Sequence, residues 1–399
     1  MLEWYDFAVY GFFASILAEQ FFPSDDPTVS LIAAFGAFAA GFLMRPVGAA
    51  LFGHIGDKYG RARALVLSVL LMAVPTFLIG LLPTYETLGV LASILVVILR
   101  MAQGLAVGGE YTSSVVYLAE AAPVGKRAFY SSWALFGGVA GTMLGSAVGA
   151  LLTSLIPDAD LRDWGWRIGF YLGIAAAGVA YFFRRGMHDE GEVVHENSPL
   201  RTALTRHWKP ILRVTGLNVV AAVGFYTFFV YIVTWLTTNV GIERSTALDI
   251  NTATMLLLLV LIPLCAWLSD RFGRRRILVL GIAGFALNVH PLVVLMHHDD
   301  VLLIGLGQAG IAIFAAMFLS CIPAAATEMF PRAVRATAVG LGYNLTFAIF
   351  GGTAPMVAVW LIERQHDDLA FTGYAIAAAL VSLGVALTVP DLHDAPLPE

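Results

Sequence analysis

The sequence contains few charged residues and few cysteines. Asp, Glu, Lys and Arg make up 13% of the 399 residues, whereas soluble domains average roughly 25%. This scarcity excludes an ordinary water-soluble enzyme, and it excludes a disordered chain even more firmly. The two cysteines, Cys265 and Cys321, lie in apolar runs and predict neither a disulfide framework nor a cysteine-based metal site. A net charge of -5 argues against a nucleic-acid partner.

Apolar residues, in contrast, make up 59% of the chain. A membrane-spanning helix needs about 20 mostly apolar residues. Twelve such runs predict an all-α membrane protein, with spans at 3–22, 28–53, 64–82, 88–118, 129–156, 165–183, 210–237, 246–268, 276–296, 301–326, 334–362 and 369–389. A polar stretch between the sixth and seventh runs divides them. We therefore predict an N-terminal bundle over 1–184, a cytoplasmic linker over 185–209 and a C-terminal bundle over 210–399.

The distribution of Lys and Arg predicts the orientation of the spans. One set of linkers holds 17 of these residues, at 58–63, 126–127, 184–213, 271–276 and 332–335, whereas the opposite set holds 3. Both termini are therefore expected on the cytoplasmic side of the inner membrane. The first residues lack a basic region, so no cleavable signal peptide is predicted. A cytoplasmic tail before the first span is expected to be missing or unusually short.

The two halves of the chain repeat in sequence. Asp57-Lys58-Tyr59-Gly60-Arg61 recurs as Asp270-Arg271-Phe272-Gly273-Arg274, 213 positions later. The spacing E-x-x-P-x-x-x-R begins at Glu120 and again at Glu328, 208 positions later. Halves that repeat in one orientation imply an axis along the membrane normal, with a substrate site between them near the midplane.

These loops resemble the hallmark loop motif of the major facilitator superfamily, which implies two pseudo-symmetric six-helix bundles. Glu3-Trp4-Tyr5-Asp6-Phe7, Arg100-Met101-Ala102-Gln103-Gly104 and Glu328-Met329-Phe330-Pro331 are similar to its metabolite:proton symporter branch. That branch contains permeases for 2-oxoglutarate, citrate, shikimate, proline and glycine betaine. The resemblance implies a monomeric secondary transporter, not an enzyme, that imports a small organic acid with protons. No cofactor or metal is implied, and the expected partners are substrate, protons and membrane lipid.

The substrate class has two interpretations. Phe225-Tyr226-Thr227-Phe228 resembles the 2-oxoglutarate permeases, whereas Gly109-Glu110-Tyr111-Thr112 resembles the proline/betaine permeases. Arg100 favours the carboxylate class, because the betaine type tends to have Lys at this position. A non-transporting sensor or scaffold is a third interpretation, and it would usually carry an appended soluble domain. A membrane enzyme is disfavoured because no nucleophile–base set or metal-ligand spacing is present.

Arg100 is the main candidate for substrate binding. It lies about twelve residues into the fourth span, which is near the bilayer centre at 1.5 Å per residue. A central arginine costs roughly 2.5–3.5 kcal/mol, so something must compensate for its charge. Its planar fork is expected to hold a substrate carboxylate in a watery cleft between the bundles, or else to pair with Asp6 or Glu110. Further candidates for the substrate site, each of which could instead pack helices, are Gln103, Tyr10, Tyr226 and Gln308.

Three acidic residues are candidates for proton coupling. Asp6 and Glu3 lie in the first span, and Glu110 lies in the fourth. Desolvation penalises a charged carboxylate, so a carboxyl group inside a span can bind a proton in one state and release it in another. A permanent ion pair with Arg100 or Arg45 is the structural alternative.

A set of charged residues is expected to form a cytoplasmic gate. Arg45, before Pro46, is expected to support that gate, although snorkelling toward the surface would also explain its position. In the superfamily, the repeated loops latch the two halves together in one state and release them in the other. The resemblance therefore implies a latch formed by Asp57, Arg61, Asp270 and Arg274, joined by Glu120, Arg127, Glu328 and Arg335.

Overall fold

The structure is a computed structural model that describes residues 2–59, 61–184 and 199–398. The side chains at 2, 53, 54, 56–65, 175–177, 179–184 and 199 lie outside the described set. Within the described residues, all regular structure is helical. Eight of the described helices are long and apolar enough to cross a membrane, and Val66–Leu81 and Phe371–Ala386 are shorter apolar helices.

The first half of the chain, residues 2–184, is called here the N-half. Helix α1 consists of Leu2–Phe12 and Ala14–Phe21, and α2 consists of Pro27–Leu43 and Arg45–Tyr59. The remaining helices are α3 (Arg61–Leu81), α4 (Val90–Ala121), α5 (Arg127–Leu155) and α6 (Trp166–Arg184). Helix α4 is interrupted at Gly108 and Gly109, so that Glu110 begins its second part. Each of these helices overlaps one of the predicted spans.

The second half, residues 208–398, is called the C-half and follows a short helix, Pro199–Arg206. Its helices are α7 (Trp208–Val240), α8 (Arg244–Phe272), α9 (Arg274–Met296), α10 (Val301–Thr327), α11 (Arg335–Gln365) and α12 (Phe371–Ala386). Helices α7 and α11 contain π-helical turns at Thr227–Tyr231 and Phe347–Gly351. Such turns are frequent at functional sites.

Helix α7 is the central element of the C-half. Its residues 217–236 are all buried. A helix that is apolar all round is stable when it is surrounded by other helices, and α7 packs against α10, α11 and α12. Its aromatic residues are therefore buried rather than turned toward lipid, and three of them contact rings of the N-half: Phe225, Tyr226 and Tyr231.

Helices α2 and α4 of the N-half cross at a very short separation. A Cβ atom at Gly104 would overlap the carbonyl oxygen of Gly41, and one at Gly108 would overlap that of Arg45. A Cβ atom at Gly48 would likewise overlap the backbone of Leu105. Only glycine permits this backbone approach, which fixes the position of Arg100 on α4 relative to α2.

Candidate functional site

Arg100 is completely buried inside the N-half. Its guanidinium lies 4.1 Å from the ring centre of Phe7, 4.4 Å from that of Tyr10 and 5.4 Å from that of Phe38. Nη1 donates a hydrogen bond of 2.8 Å to Oε1 of Gln103, whereas Nε and Nη2 have no hydrogen-bond partner among the described residues. The aromatic faces attract the cation but leave two of its donor groups unsatisfied.

Asp6 is connected to Arg100 through two intervening side chains. Nε2 of Gln103 donates to Oγ1 of Thr76 at 2.7 Å, and Thr76 lies 2.8 Å from Oδ2 of Asp6. Asp6 is buried, and its Oδ1 has no hydrogen-bond partner. Arg100 therefore reaches Asp6 by a hydrogen-bonded chain, and no direct ion pair joins the two in the described structure.

The other two predicted proton carriers lie in different surroundings. Glu3 is buried near the start of α1. Glu110 is half-buried and begins the second part of α4. A carboxylate is favourable there, because it lies at the positive end of the helix dipole. Their roles in proton coupling stay predictions.

Arg45 is buried beneath aromatic rings in the middle of α2, at the start of its second segment. Its guanidinium lies 3.8 Å from the ring centre of Phe42 and 4.9 Å from that of Phe7. Snorkelling to the surface, the simpler explanation offered by the sequence, is therefore wrong. Arg45 begins the second helical segment of α2, and Pro46 follows it in the first turn, where proline is tolerated.

Aromatic side chains close the interface over Arg100. The ring of Tyr226, from α7 in the C-half, lies 5.8 Å from Phe38 and 4.9 Å from Phe42, both on α2. Tyr10 donates its hydroxyl to the carbonyl of Ala34 at 3.0 Å and turns its ring toward Arg100. Tyr10 and Tyr226 thus lie on either side of this aromatic layer, and their roles in substrate binding stay predictions.

Gln308 lies apart from this cluster. It is buried within the C-half, where Nε2 donates to Oδ1 of Asn251 at 2.8 Å and to the carbonyl of Phe228 at 3.2 Å. These bonds connect α10 to α7 and α8. The structure therefore places Gln308 as a link between helices and does not bring it to Arg100.

Two adjacent cavities lie between the halves. Each has a volume of about 20 Å³, which is room for about one water molecule. Their lining includes Trp4 and Tyr111 from the N-half with Phe225, Tyr343 and Asn218 from the C-half. Arg100 lines neither of them, so the expected opening of Arg100 onto a watery cleft is not found. The aromatic layer is closed, and the halves must separate before an organic solute can enter.

Buried ion pairs join the halves at one end of the molecule, called here the basic end. Oε1 of Glu328 lies 3.3 Å from Nη1 of Arg127 and 3.0 Å from Nη2 of Arg274. Nη1 of Arg335 lies 2.6 Å from Oε1 of Glu120. The two repeated Glu–Arg motifs therefore exchange partners, since each arginine pairs with the glutamate of the other half.

Asp270 adds a further link at the basic end. Its carboxylate accepts hydrogen bonds from the backbone N–H groups of Ala128 at 3.0 Å and Phe129 at 2.8 Å, and it lies 2.6 Å from Nη1 of Arg274. An acidic side chain from the C-half thus caps the first turn of α5 in the N-half. The equivalent residues of the first repeat, Asp57 and Arg61, lie outside the described side chains.

The segment after α12 also binds the arginines of the basic end. Arg127 donates to the carbonyl oxygens of Leu392 at 3.4 Å and Ala395 at 2.5 Å. Arg335 donates to the carbonyl of Pro398 at 2.7 Å. These contacts satisfy guanidinium donors that the two glutamates leave unpaired.

The opposite end of the interface is closed mainly by neutral groups. Ser146 of α5 donates to the carbonyl of Leu248 at 3.2 Å and accepts hydrogen bonds from Asn251 at 3.2 Å and Thr252 at 2.8 Å. Arg244 of α8 donates to Ser15 of α1 at 2.6 Å. Both ends of the interface are therefore joined in this structure.

Comparison with known proteins places this architecture in a family. Residues 1–189 match Sugar (and other) transporter, and residues 214–398 match Major Facilitator Superfamily. The Proline/betaine transporter of Escherichia coli (strain K12) is 33% identical over 412 residues, covering 99% of this chain and 82% of the relative. The Alpha-ketoglutarate permease of the same strain is 36% identical over 393 residues, covering 97% and 90%. The chain belongs to the major facilitator superfamily.

A solved structure from this superfamily shares the fold. The MFS proton:xylose symporter XylE, bound to 6-bromo-6-deoxy-D-glucose, superposes with a TM-score of 0.78 at 18% identity, covering 99% of this chain and 94% of that one. The predicted all-α membrane fold is confirmed. The chain is a multi-pass membrane transporter and not an enzyme.

Sequence reasoning missed several residues of this major facilitator protein. Thr76 is an ordinary residue in an apolar helix, and nothing in its sequence context indicates a contact with Asp6. Trp4 and Tyr111 lie in segments that carry the family resemblance, so their aromatic character could have suggested an interface position. Tyr343 of α11 contacts Tyr111, with the ring centres 4.8 Å apart and the ring planes tilted by 35°.

Proposed function

We propose that this transporter imports a small organic acid, such as 2-oxoglutarate, together with protons across the cytoplasmic membrane. The bundles at 1–184 and 210–399, connected by the linker at 185–209, would rock about the aromatic interface and expose the site alternately to each side. Each charge moved with the membrane potential contributes about 2.3 kcal/mol per 100 mV, so protons can drive uptake of an anion.

The observation that carries the proposal is the unpaired fork of Arg100. Among the residues that the structure describes, its buried guanidinium finds no partner for Nε and Nη2 and no carboxylate within ion-pair distance. A carboxylate binds such a fork with two parallel hydrogen bonds, which would supply the missing partners and compensate the buried charge. Similarity to the Alpha-ketoglutarate permease is consistent with this class of substrate.

Access to Arg100 requires separation of the aromatic layer. Phe38 covers the guanidinium from α2 and is itself in contact with Tyr226 of the C-half. Moving α7 away from α2 would uncover Arg100, with Gln103 and Tyr10 beside it. In this proposal Gln103 orients the guanidinium, and Tyr10 and Tyr226 form the walls of the site.

Asp6 is the proposed proton carrier that acts with Arg100, and Glu3 and Glu110 are further members of the coupling set. Asp6 is buried and lies at the end of the hydrogen-bonded chain that starts at Arg100. Protonation would remove the negative charge nearest to Arg100. A substrate anion would then replace that charge.

The basic end is the proposed cytoplasmic gate. The 17 Lys and Arg residues on its linkers, against 3 on the opposite linkers, favour a cytoplasmic location of this end and of both termini. In this proposal Arg45 supports the gate, and Glu328, Asp270 and Glu120 hold it closed until substrate and proton have bound.

A zwitterion such as proline or glycine betaine is the second candidate substrate. One of the two cavities is lined by aromatic rings from both halves, including Trp4, Tyr111, Phe225, Tyr343 and Phe347. Aromatic faces attract a substituted ammonium group, and the zwitterion's carboxylate could still bind Arg100. Similarity to the Proline/betaine transporter is consistent with this alternative.

A substrate panel tests the proposal. Purified protein in proteoliposomes with an imposed pH gradient would be offered 2-oxoglutarate, citrate, shikimate, proline and betaine. We expect gradient-driven uptake of a dicarboxylate, and Arg100→Lys should lower it by about 100-fold, because two charge-assisted hydrogen bonds are lost. Arg162→Lys, at an exposed site, is the matched control and should transport normally.

Two results would contradict the proposal. Uptake confined to proline or betaine, and stimulated by osmotic upshift, would establish the second candidate. Near-normal uptake of the transported acid by Arg100→Lys would reject the binding role of Arg100.

A further inference from the structure

The hydroxyl of Thr76 has one proton and two acceptors at equal distance. Oγ1 lies 2.8 Å from Oδ2 of Asp6 and 2.8 Å from the carbonyl oxygen of Met72, one turn earlier in α3. A hydroxyl donates only one hydrogen bond at a time. Thr76 can therefore donate its hydroxyl proton either to the carboxyl group of Asp6 or to the carbonyl of its own helix, but not to both at once.

The other two hydrogen bonds between Arg100 and Asp6 cannot exchange donor and acceptor. An arginine side chain has donors only, so Gln103 must accept from Arg100 through Oε1. The amide nitrogen of Gln103 then faces Thr76 and donates to it at 2.7 Å. Thr76 accepts this bond in either case, and only the link between Thr76 and Asp6 can change direction.

The protonation state of Asp6 determines that direction. When Asp6 is ionised, Thr76 donates to Oδ2, and every bond from Arg100 onward points toward the carboxylate. When Asp6 carries a proton on Oδ2, that proton is donated to Oγ1 of Thr76. The hydroxyl of Thr76 then turns to Met72, and its two lone pairs accept from Asp6 and Gln103.

The two arrangements leave Arg100 in different electrostatic states. The ionised carboxylate balances the guanidinium through a continuous donor chain whose bonds reinforce one another. In the protonated state the chain ends at Thr76, and the buried guanidinium lacks a balancing anion. Nε and Nη2, which are unpartnered in either state, then favour a substrate carboxylate more strongly.

We propose that Thr76 is the positioning residue that links protonation of Asp6 to carboxylate binding at Arg100. This inference rests on the proposed function of the transporter. By linkage, proton binding strengthens substrate binding and substrate binding strengthens proton binding by the same factor. The hydroxyl contacts neither substrate nor water in this role; it transmits the state of Asp6 through Gln103.

Helix α6 leaves room for the contact between Asp6 and Thr76. A Cβ atom at Gly173 of α6 would lie 2.7 Å from Oδ1 of Asp6 and 3.0 Å from Cγ2 of Thr76. Only glycine leaves room for both side chains at this position. Gly173 is thus a second residue whose identity the contact between Asp6 and Thr76 requires.

Few charged groups face Asp6. Arg100 approaches from α4, and Glu3 and Tyr5 approach from its own helix. From α3 the hydroxyl of Thr76 bonds to it, and from α6 Gly173 lies beside it, and neither residue is titratable. Changing Thr76 therefore alters the link between Asp6 and Arg100 without altering the charges around it.

The experiment compares Thr76→Val with Thr76→Ser in proteoliposomes loaded with the substrate identified by the panel. Two quantities are measured: accumulation driven by a pH gradient, and substrate exchange at equal pH on both sides. KM is also determined across the pH range. Thr142→Val, which changes a buried threonine bonded to its own helix at 3.5 Å, is the matched control.

We expect Thr76→Val to keep exchange within about threefold of the wild type while its gradient-driven accumulation falls by about tenfold, inside the 5–150-fold range of site-to-site coupling. The pH dependence of its KM should flatten. Thr76→Ser should restore both, and Thr142→Val should behave as the wild type.

Three outcomes would overturn the inference: an unchanged pH profile in Thr76→Val, failure of Thr76→Ser to restore coupling, or equal losses of exchange and accumulation. If Thr76→Val does not reach the membrane, Thr76→Ala removes the same hydroxyl without adding atoms, and an unchanged pH profile there also rejects the inference. A wild-type protein that shows no gradient-driven uptake would instead reject the proposed function itself.

Discussion

The basic end and the opposite end of the interface are closed by different kinds of contact. At the basic end, the side chains of Arg127, Arg274 and Glu328 are at most 3% exposed, and their charges compensate one another out of water. On the side of the opposite end, the pair of Arg162 and Glu19 links two segments of the N-half, and its side chains are 42% and 53% exposed. Removing one charge should therefore lower the stability of the protein strongly at the basic end and hardly at the opposite end.

The physical reason lies in desolvation. Removing one member of a buried pair leaves its partner charged and without water, which costs about 3–5 kcal/mol. An exposed pair is screened by water, and its removal typically costs less than about 1 kcal/mol. Hydrogen bonds to Asp158 and Glu19 raise the pKa of Arg162, so this exposed arginine remains charged.

Glu328→Gln should have the largest effect. It removes the shared anion of Arg127 and Arg274, although Arg274 keeps Asp270 and Arg127 keeps two carbonyl oxygens. We expect a loss of about 3 kcal/mol in stability, measured as a lower Tm in detergent micelles. Glu363→Gln, at an exposed glutamate, is the control. Equal Tm values for both variants would remove the distinction between the ends.

Ser146→Ala should have an intermediate effect at the opposite end. The hydroxyl accepts hydrogen bonds from two side chains of α8 and is buried, so its loss leaves Asn251 and Thr252 with one partner fewer. A decrease of about 1–2 kcal/mol is expected from thermal unfolding. Ser154→Ala, at an exposed serine of the same helix, should change Tm little. A loss as large as that of Glu328→Gln would show that neutral contacts close the interface as firmly as charges.

Glu19→Gln should have the smallest effect. The pair with Arg162 is exposed, so we expect less than about 1 kcal/mol. The difference from the wild type should vanish in about 1 M salt, where the Debye length is about 3 Å. Thermal unfolding at low and high salt measures both quantities. A large, salt-independent loss would mean that this pair is buried in the membrane-embedded protein.

The sequence predicted the helices well because their cause is local. Each predicted apolar run overlaps a helix of the structure, since twenty apolar residues have few other stable arrangements in a bilayer. The repeated motifs also selected Asp270, Arg274 and Glu328, which form ion pairs with one another in the structure. They could not identify which glutamate pairs with which arginine, because a repeat fixes spacing within a half and carries no information about contacts across the interface.

The candidate site was predicted only in part. Arg100 and Asp6 could be selected because charge inside a span is rare and must be compensated. Thr76 could not, because a threonine is compatible with any apolar helix and its contact depends on how α1, α3 and α4 pack. The aromatic layer over Arg100 depends likewise on the approach of the two halves, which composition does not determine.

The glycine crossing of α2 and α4 has a consequence for motion. Backbones that meet without intervening side chains interlock, so neither helix can slide or tilt without the other. Arg45 and Arg100 are carried on these two helices and must travel as a rigid pair. Any shape change of the protein then displaces the C-half's aromatic cover relative to two fixed cations.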